Sequence, residues 1–122
     1  PDSWKLIEPP QDICKAIDSS KNHEKFLLDS LGGLVEQHLN DNQNDWESFQ
    51  LKFLNCLRKN DLGIIVVTEE IGWGIVPGTP IGHLFRERHT NLSSLICKHS
   101  TNKWLAINGI AIDLEKIGYL IP

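Results

Sequence analysis

Short, continuous apolar runs alternate with stretches of helical periodicity along this chain. That alternation points to an α/β domain built on a parallel sheet with helices on both faces. The strongest run spans residues 62–67, where Leu62 precedes Gly63-Ile-Ile-Val-Val67, the most β-branched stretch in the sequence. A run of this kind suits an inner strand covered on both faces. Lys25-Phe-Leu-Leu28, ending abruptly at Asp29, reads as a second buried strand. Residues 4–7 predict a short first strand, stopped by Glu8-Pro9-Pro10; residues 103–107 predict a later one and residues 118–121 a last edge strand.

Helices are predicted between them. Residues 11–18 place Ile13, Ala16 and Ile17 at helical spacing, with Pro10 near the start. Residues 31–39 put Leu31, Leu34, Val35 and Leu39 on one face. Trp46, Phe49, Phe53, Cys56 and Leu57 repeat every three or four residues. Thr79-Pro80 forms a cap-and-proline start for a long helix whose face runs through Ile81, Leu84, Phe85, Leu92, Leu95, Ile96 and His99. Residues 40–45 are polar and predict a variable loop.

In an open parallel sheet, ligands collect beyond the carboxyl ends of the strands. The groups to weigh are therefore Glu8, Asp29, Glu69, Glu70 and Asn108. The chain's 122 residues suit one domain, residues 1–122. Its 12 Lys+Arg against 16 Asp+Glu give a formal charge of −4, which argues against a nucleic-acid binder. No apolar run approaches the roughly 20 residues of a membrane span, and no secretion signal is visible. Cys14, Cys56 and Cys97 form no C-x-x-C pair and read as reduced, buried thiols of a cytosolic protein; no histidine stands at zinc-ligand spacing near them. The sequence opens on Pro1 and contains no Met, which predicts a portion of a longer protein.

Several constellations bear on chemistry. An acidic residue closing a buried strand, as Asp29 does, can hold magnesium through water while the ion bridges phosphates, or it can cap the following helix, as can Ser30. Thr68-Glu-Glu-Ile-Gly-Trp-Gly-Ile-Val-Pro77 sets two carboxylates after a strand and two glycines about Trp73. Glycine there permits positive φ or a close ligand, and Trp73 suits either stacking on a base or flat macrocycle or plugging a surface or subunit contact. In His83-Leu-Phe-Arg-Glu-Arg-His89, Arg86 suits a phosphate or acidic partner; the alternative is a solvated face on which Arg86, Glu87 and Arg88 make exposed ion pairs. Trp4, Trp46 and Trp104 sit in apolar patterns that read as core. No G-x-x-x-x-G-K-[ST] phosphate loop is present, and no Ser–His–Asp, Cys–His or paired-carboxylate hydrolase pattern.

Glu70-Ile-Gly-Trp-Gly-Ile-Val-Pro77, followed by Leu84-Phe-Arg86, resembles the T-N-E-[VI]-G-x-G-I-V-P and F-R-D segments of one family, the bifunctional adenosylcobinamide kinase/adenosylcobinamide-phosphate guanylyltransferases of cobalamin synthesis. The resemblance runs the whole length. Pro1-Asp-Ser-Trp4 through Glu8 is similar to its R-P-x-x-W-x-x-x-E segment, Phe26-Leu-Leu-Asp29 to its acidic strand end, and Trp104-Leu-Ala-Ile-Asn-Gly109 to its terminal strand and turn.

The resemblance implies a RecA-like P-loop fold, a cytoplasmic homotrimer, GTP or ATP as substrates and Mg²⁺ as cofactor. It implies two reactions: phosphorylation of adenosylcobinamide, then GMP transfer through a guanylylated histidine onto the resulting phosphate. It further implies Glu8 and Asp29 as nucleotide contacts, Asp29 also on Mg²⁺ through water, with Glu70, Gly72, Gly74 and Arg86 at the active-site edge. The family's phosphate loop, the strand before it and its nucleophilic histidine lie upstream of the segment matched at Pro1, so His23, His38, His83, His89 and His99 do not inherit the nucleophile's role. This chain then reads as a carboxyl-terminal portion, inactive alone. Glu69 stands where the family has Asn, and residues 87–94 depart from its D-x-x-G-R-x-N-Q. The alternatives are a non-catalytic binding or scaffold subunit of the same fold, or a P-loop kinase for another small alcohol.

Overall fold

The computed structural model describes residues 3–8, 12–19, 24–59, 63–119 and 121. Its centre is a parallel pair of strands, β1 (Phe26–Asp29) and β2 (Ile64–Val67), in the register Phe26↔Ile64 through Asp29↔Val67. The two strands therefore end level with each other. A parallel pair needs a long crossover, and here it consists of α2 (Leu31–Glu36) and α3 (Gln43–Lys59). Helix α1 (Ile13–Asp18) precedes β1, and α4 (Pro80–His99) follows β2.

One face of the pair is packed. Phe26, Leu28, Ile64 and Val66 point into a core whose fully buried members include Leu31, Val35, Phe53 and Leu92. The opposite face carries Leu27, Ile65 and Val67, all exposed. The expected cover on both faces is thus absent among the described residues; helices pack on one side only. An apolar run gives the same signal whether one or both faces of its strand are covered, because alternate residues face opposite ways in either case.

Other expectations shift as well. Residues 4–8 take no strand conformation, and Trp4, Leu6 and Ile7 are exposed. Helix α1 starts at Ile13 instead of residue 11, because Asp12 is its cap: its carboxylate accepts from the Cys14 amide (3.0 Å) and the Lys15 amide (3.3 Å). Lys52 Nζ lies 2.7 Å from the same carboxylate, ties α1 to α3 and holds the Asp12 carboxyl below the usual range. Thr79 caps α4 as its sequence predicts, accepting from the Gly82 amide at 3.2 Å, with Pro80 in the first turn.

The carboxyl-terminal part differs most. Strand β3 (Trp104–Ile107) pairs antiparallel with β4 (Ile110–Asp113) across Asn108-Gly109, both of positive φ (49° and 80°), which matches the hairpin turn that Asn-Gly favours. The hairpin is a sheet of its own, so Asn108 does not share a rim with β1 and β2. A short α5 (Leu114–Ile117) follows. Of the edge strand expected at 118–121, residues 118, 119 and 121 are not in a strand, and Leu120 lies outside the described residues. Trp104 is exposed and Trp46 buried, so of the three tryptophans expected in the core only Trp46 is there.

Cys14 and Cys56 are buried, as expected of inert thiols, and burial pushes the Cys56 thiol up to about 12. Cys97 is exposed. No helix among the described residues is long and apolar enough to cross a membrane.

Candidate functional site

Level strand ends bring two acidic segments together. Asp29 closes β1 opposite Val67, and Thr68, Glu69 and Glu70 continue from β2. Asp29, Glu69 and Glu70 are all exposed. Two neighbouring strands thus deliver carboxylates to one rim.

The three carboxylates are not equivalent. Helix α2 begins after Ser30, which makes no capping bond of its own. Neither Asp29 nor Ser30 serves as the cap expected of one of them. Glu69 does so from the neighbouring strand: its carboxylate accepts from the Gly32 amide at 3.0 Å and from the Ser30 hydroxyl. A third contact comes from α4, where His89 Nε2 lies 3.2 Å from the same carboxylate and 3.3 Å from the Thr68 hydroxyl. Thr68 in turn reaches Ser93 at 3.4 Å. Glu69 therefore fastens β2, α2 and α4 to one another. Gly32 must be glycine for this, since a Cβ there would lie 2.8 Å from the Glu69 carboxylate oxygens.

Partial burial tends to raise the Glu69 carboxyl, but the bonds from Ser30, Gly32 and His89 outweigh it and hold the group below the ordinary glutamate value. A depressed carboxyl contributes stability above its unfolded value and loses it as pH falls through the folded one. Glu69→Gln is accordingly expected to flatten part of the acid-unfolding curve below about pH 4. Monitored by circular dichroism, an unchanged acid limb would show that the bond network carries no charge-dependent stability.

The Asp29 carboxylate is left with no hydrogen-bond or ion-pair partner among the described residues, and that of Glu70 likewise. Their oxygens are hard, anionic donors of the kind magnesium takes one or two at a time, the rest of its shell being water and phosphate. The residues present thus fit that ion, although among the described residues no cluster of three or more His, Cys, Asp or Glu could cage a metal alone.

Beyond Glu70 the chain makes a 3-10 turn over Ile71–Trp73, and Arg86 Nη2 donates to the Gly72 carbonyl at 3.1 Å. Arg86 therefore braces the glycine loop from α4. Gly74 takes φ −87°, and Gly109 is the one described glycine of positive φ, so the loop glycines are not there for left-handed backbone. Glu8 lies exposed on the irregular segment 3–8, with no hydrogen bond to Asp29 or Glu70; the structure does not bring it to the rim through a strand. Exposed His83 sits in the first turn of α4. His38 stacks on Phe49 and His99 lies against Arg58, away from the rim residues; His23 is outside the described residues.

Two buried groups of α4 escape the sequence reading, His89 behind the rim and Arg88 on the side of the α2–α3 connection. Arg88, expected on a solvated face, is buried: its guanidinium donates to the His38 carbonyl and, at 2.8 Å, to the Asp41 carbonyl, and lies 5.0 Å from the Trp46 ring. It pins residues 38–41, which include the first part of the loop expected to vary over 40–45; the rest of that loop, from Gln43, is already helix α3. His89 is buried beside Phe85. A signal existed for both, since Arg88 follows Leu84 by four residues and His89 follows Phe85 by four, so each continues an apolar stripe of α4.

The family model described as cobinamide kinase / cobinamide phosphate guanyltransferase matches residues 1–114. Among curated proteins, the bifunctional adenosylcobalamin biosynthesis protein CobU of Escherichia coli (strain K12) is 21% identical over 130 residues, a match covering 94% of this chain and 72% of that protein. With the match extending across the strand-end acids, the glycine loop and α4, the chain belongs to the cobinamide kinase/cobinamide phosphate guanyltransferase family.

Proposed function

We propose that these residues form the acidic side of a nucleotide site at which GTP or ATP phosphorylates adenosylcobinamide and GTP then donates GMP to the product. The observation that carries this reading is the division of labour at the rim. Glu69 takes over the structural bonds to Ser30, Gly32 and His89, which leaves the Asp29 and Glu70 carboxylates without partners among the described residues, at the level ends of two parallel strands. Phosphoryl transfer depends chiefly on positioning and on neutralising phosphate charge, and it needs such carboxylates for magnesium. Asp29 would hold the ion through water, Arg86 braces the loop of Gly72 and Gly74 at the edge, and Glu8 would contribute a nucleotide-side carboxylate only if segment 3–8 is drawn to the rim when nucleotide binds. Such an ion would supply positive charge to offset that of the phosphates.

The exposed face of β1 and β2, with Leu27, Ile65 and Val67, supports the finer reading of a RecA-like sheet. Two strands with one apolar face open to water are marginal alone. A preceding strand, with its phosphate loop and helix, would cover that face and supply the phosphate cradle that residues 1–122 lack. The complete protein works in the cytoplasm as a homotrimer.

The 122 residues alone are expected to show no transfer from GTP to adenosylcobinamide, whereas the protein with its upstream segment performs both steps. Sequencing upstream of the Pro1 codon tests this directly. A G-x-x-x-x-G-K-[ST] run is expected within about 60 codons, the span of a strand, loop and helix. Its absence, together with a folded chain that binds no GTP, would favour the scaffold alternative.

A further inference from the structure

The loop after Glu70 holds apolar surface that the core does not use. Trp73 is 72% exposed, Ile75 97% and Val76 61%. Contiguous exposure of this kind marks a binding surface. The segment is braced: Arg86 bonds the Gly72 carbonyl, and Pro77 packs so closely on α4 that a Cβ at Gly82 would fall 2.6 Å from its Cβ.

The glycines add a second observation. At Gly74 a Cβ would meet nothing nearer than the Ile71 carbonyl oxygen at 3.9 Å, and at Gly78 nothing within 4 Å. Neither has positive φ. Packing and backbone conformation both leave room for a side chain that the sequence withholds. A bare backbone beside an exposed indole suits a ligand that approaches the main chain closely.

We propose that Trp73, Gly74, Ile75 and Val76 form the seat for the flat macrocycle of the corrinoid substrate, next to the rim where phosphate is transferred. This rests on the nucleotide reading above and names where its second substrate lies. The chemistry favours a large apolar face over phosphate, because residues 71–82 carry no charge. It favours a macrocycle over a purine base, because three exposed apolar side chains and a side-chain-free stretch exceed what one base covers. The loop follows Glu70 directly, so a macrocycle seated there keeps its side arm within reach of the rim.

The test uses the full-length protein, upstream segment included, with dicyanocobinamide and GTP as separate probes in equilibrium dialysis. Trp73→Ala is expected to weaken cobinamide binding about tenfold or more, as losing a central aromatic anchor does, with GTP affinity within about twofold of wild type. Gly74→Ala is expected to melt with the wild type yet bind cobinamide more weakly. Undiminished cobinamide binding in both variants, or GTP binding with no cobinamide binding in the wild type, overturns the seat and leaves the nucleotide reading intact. Self-association that Trp73→Ala abolishes, with cobinamide binding unchanged, assigns the surface to a second copy and likewise overturns it. Failure of the wild type to bind GTP overturns the nucleotide reading and the seat with it.

Discussion

Arg88→Ala is expected to destabilise the protein by about 3 kcal/mol or more and to lower Tm by roughly 10 °C. The side chain is 4% exposed, and its two terminal nitrogens hold the His38 and Asp41 carbonyls while its charge faces the Trp46 ring. Removing it strands two carbonyls at about 1–3 kcal/mol each and opens a void beside Trp46. Some of that cost is already offset, because Nε lacks an acceptor among the described residues, so the guanidinium is incompletely satisfied to begin with. Arg88→Lys should rescue little: one ammonium cannot reproduce a planar fork that reaches two carbonyls three residues apart in sequence. Hydrogen exchange should show residues 38–41 loosened in both variants. Arg86→Ala, which removes one bond from a half-buried arginine, is the control and should shift Tm by only a few degrees. An Arg88→Ala protein within about 1 kcal/mol of wild type would mean that the loop is held by something else.

The case of Arg88 also shows where sequence patterns stop. Amphipathic spacing locates α3 and α4, and Thr79-Pro80 fixes the start of α4, because capping and periodicity are local properties. The strand ends at Asp29 and Val67 are legible for the same reason. Which strands pair is a non-local matter. The Asn108-Gly109 dipeptide signals a hairpin, but only the register shows that β3 turns back on β4 and leaves the parallel pair to itself. Nor does any local pattern separate Glu69 from Glu70. They are adjacent acids, and their roles diverge because the Ser30 hydroxyl, the Gly32 amide and His89, brought from two distant stretches, the start of α2 and the middle of α4, all converge on the first.

In the full-length protein, Asp29→Asn is expected to lower magnesium-dependent turnover by about 10²-fold or more, the scale at which a metal-side contact or a preorganised charge is lost. The exchange keeps size and removes the anion, so the ion loses a hard donor while the fold loses little. The Asp29 carboxylate caps no helix and makes no hydrogen bond or ion pair among the described residues, since Gly32 and Ser30 are engaged by Glu69. Tm should therefore move by no more than a degree or two. Raising the magnesium concentration should recover part of the rate, because a weakened site fills by mass action. Glu69→Gln should show the reverse balance, a stability change that exceeds any direct effect of magnesium. If Asp29→Asn instead loses mainly melting temperature, with turnover per folded molecule intact, the carboxylate belongs to the fold and the nucleotide site lies elsewhere. The contrast between these neighbours is the sharpest available test, because both sit on one rim, share a charge and differ chiefly in whether the protein has already claimed their oxygens.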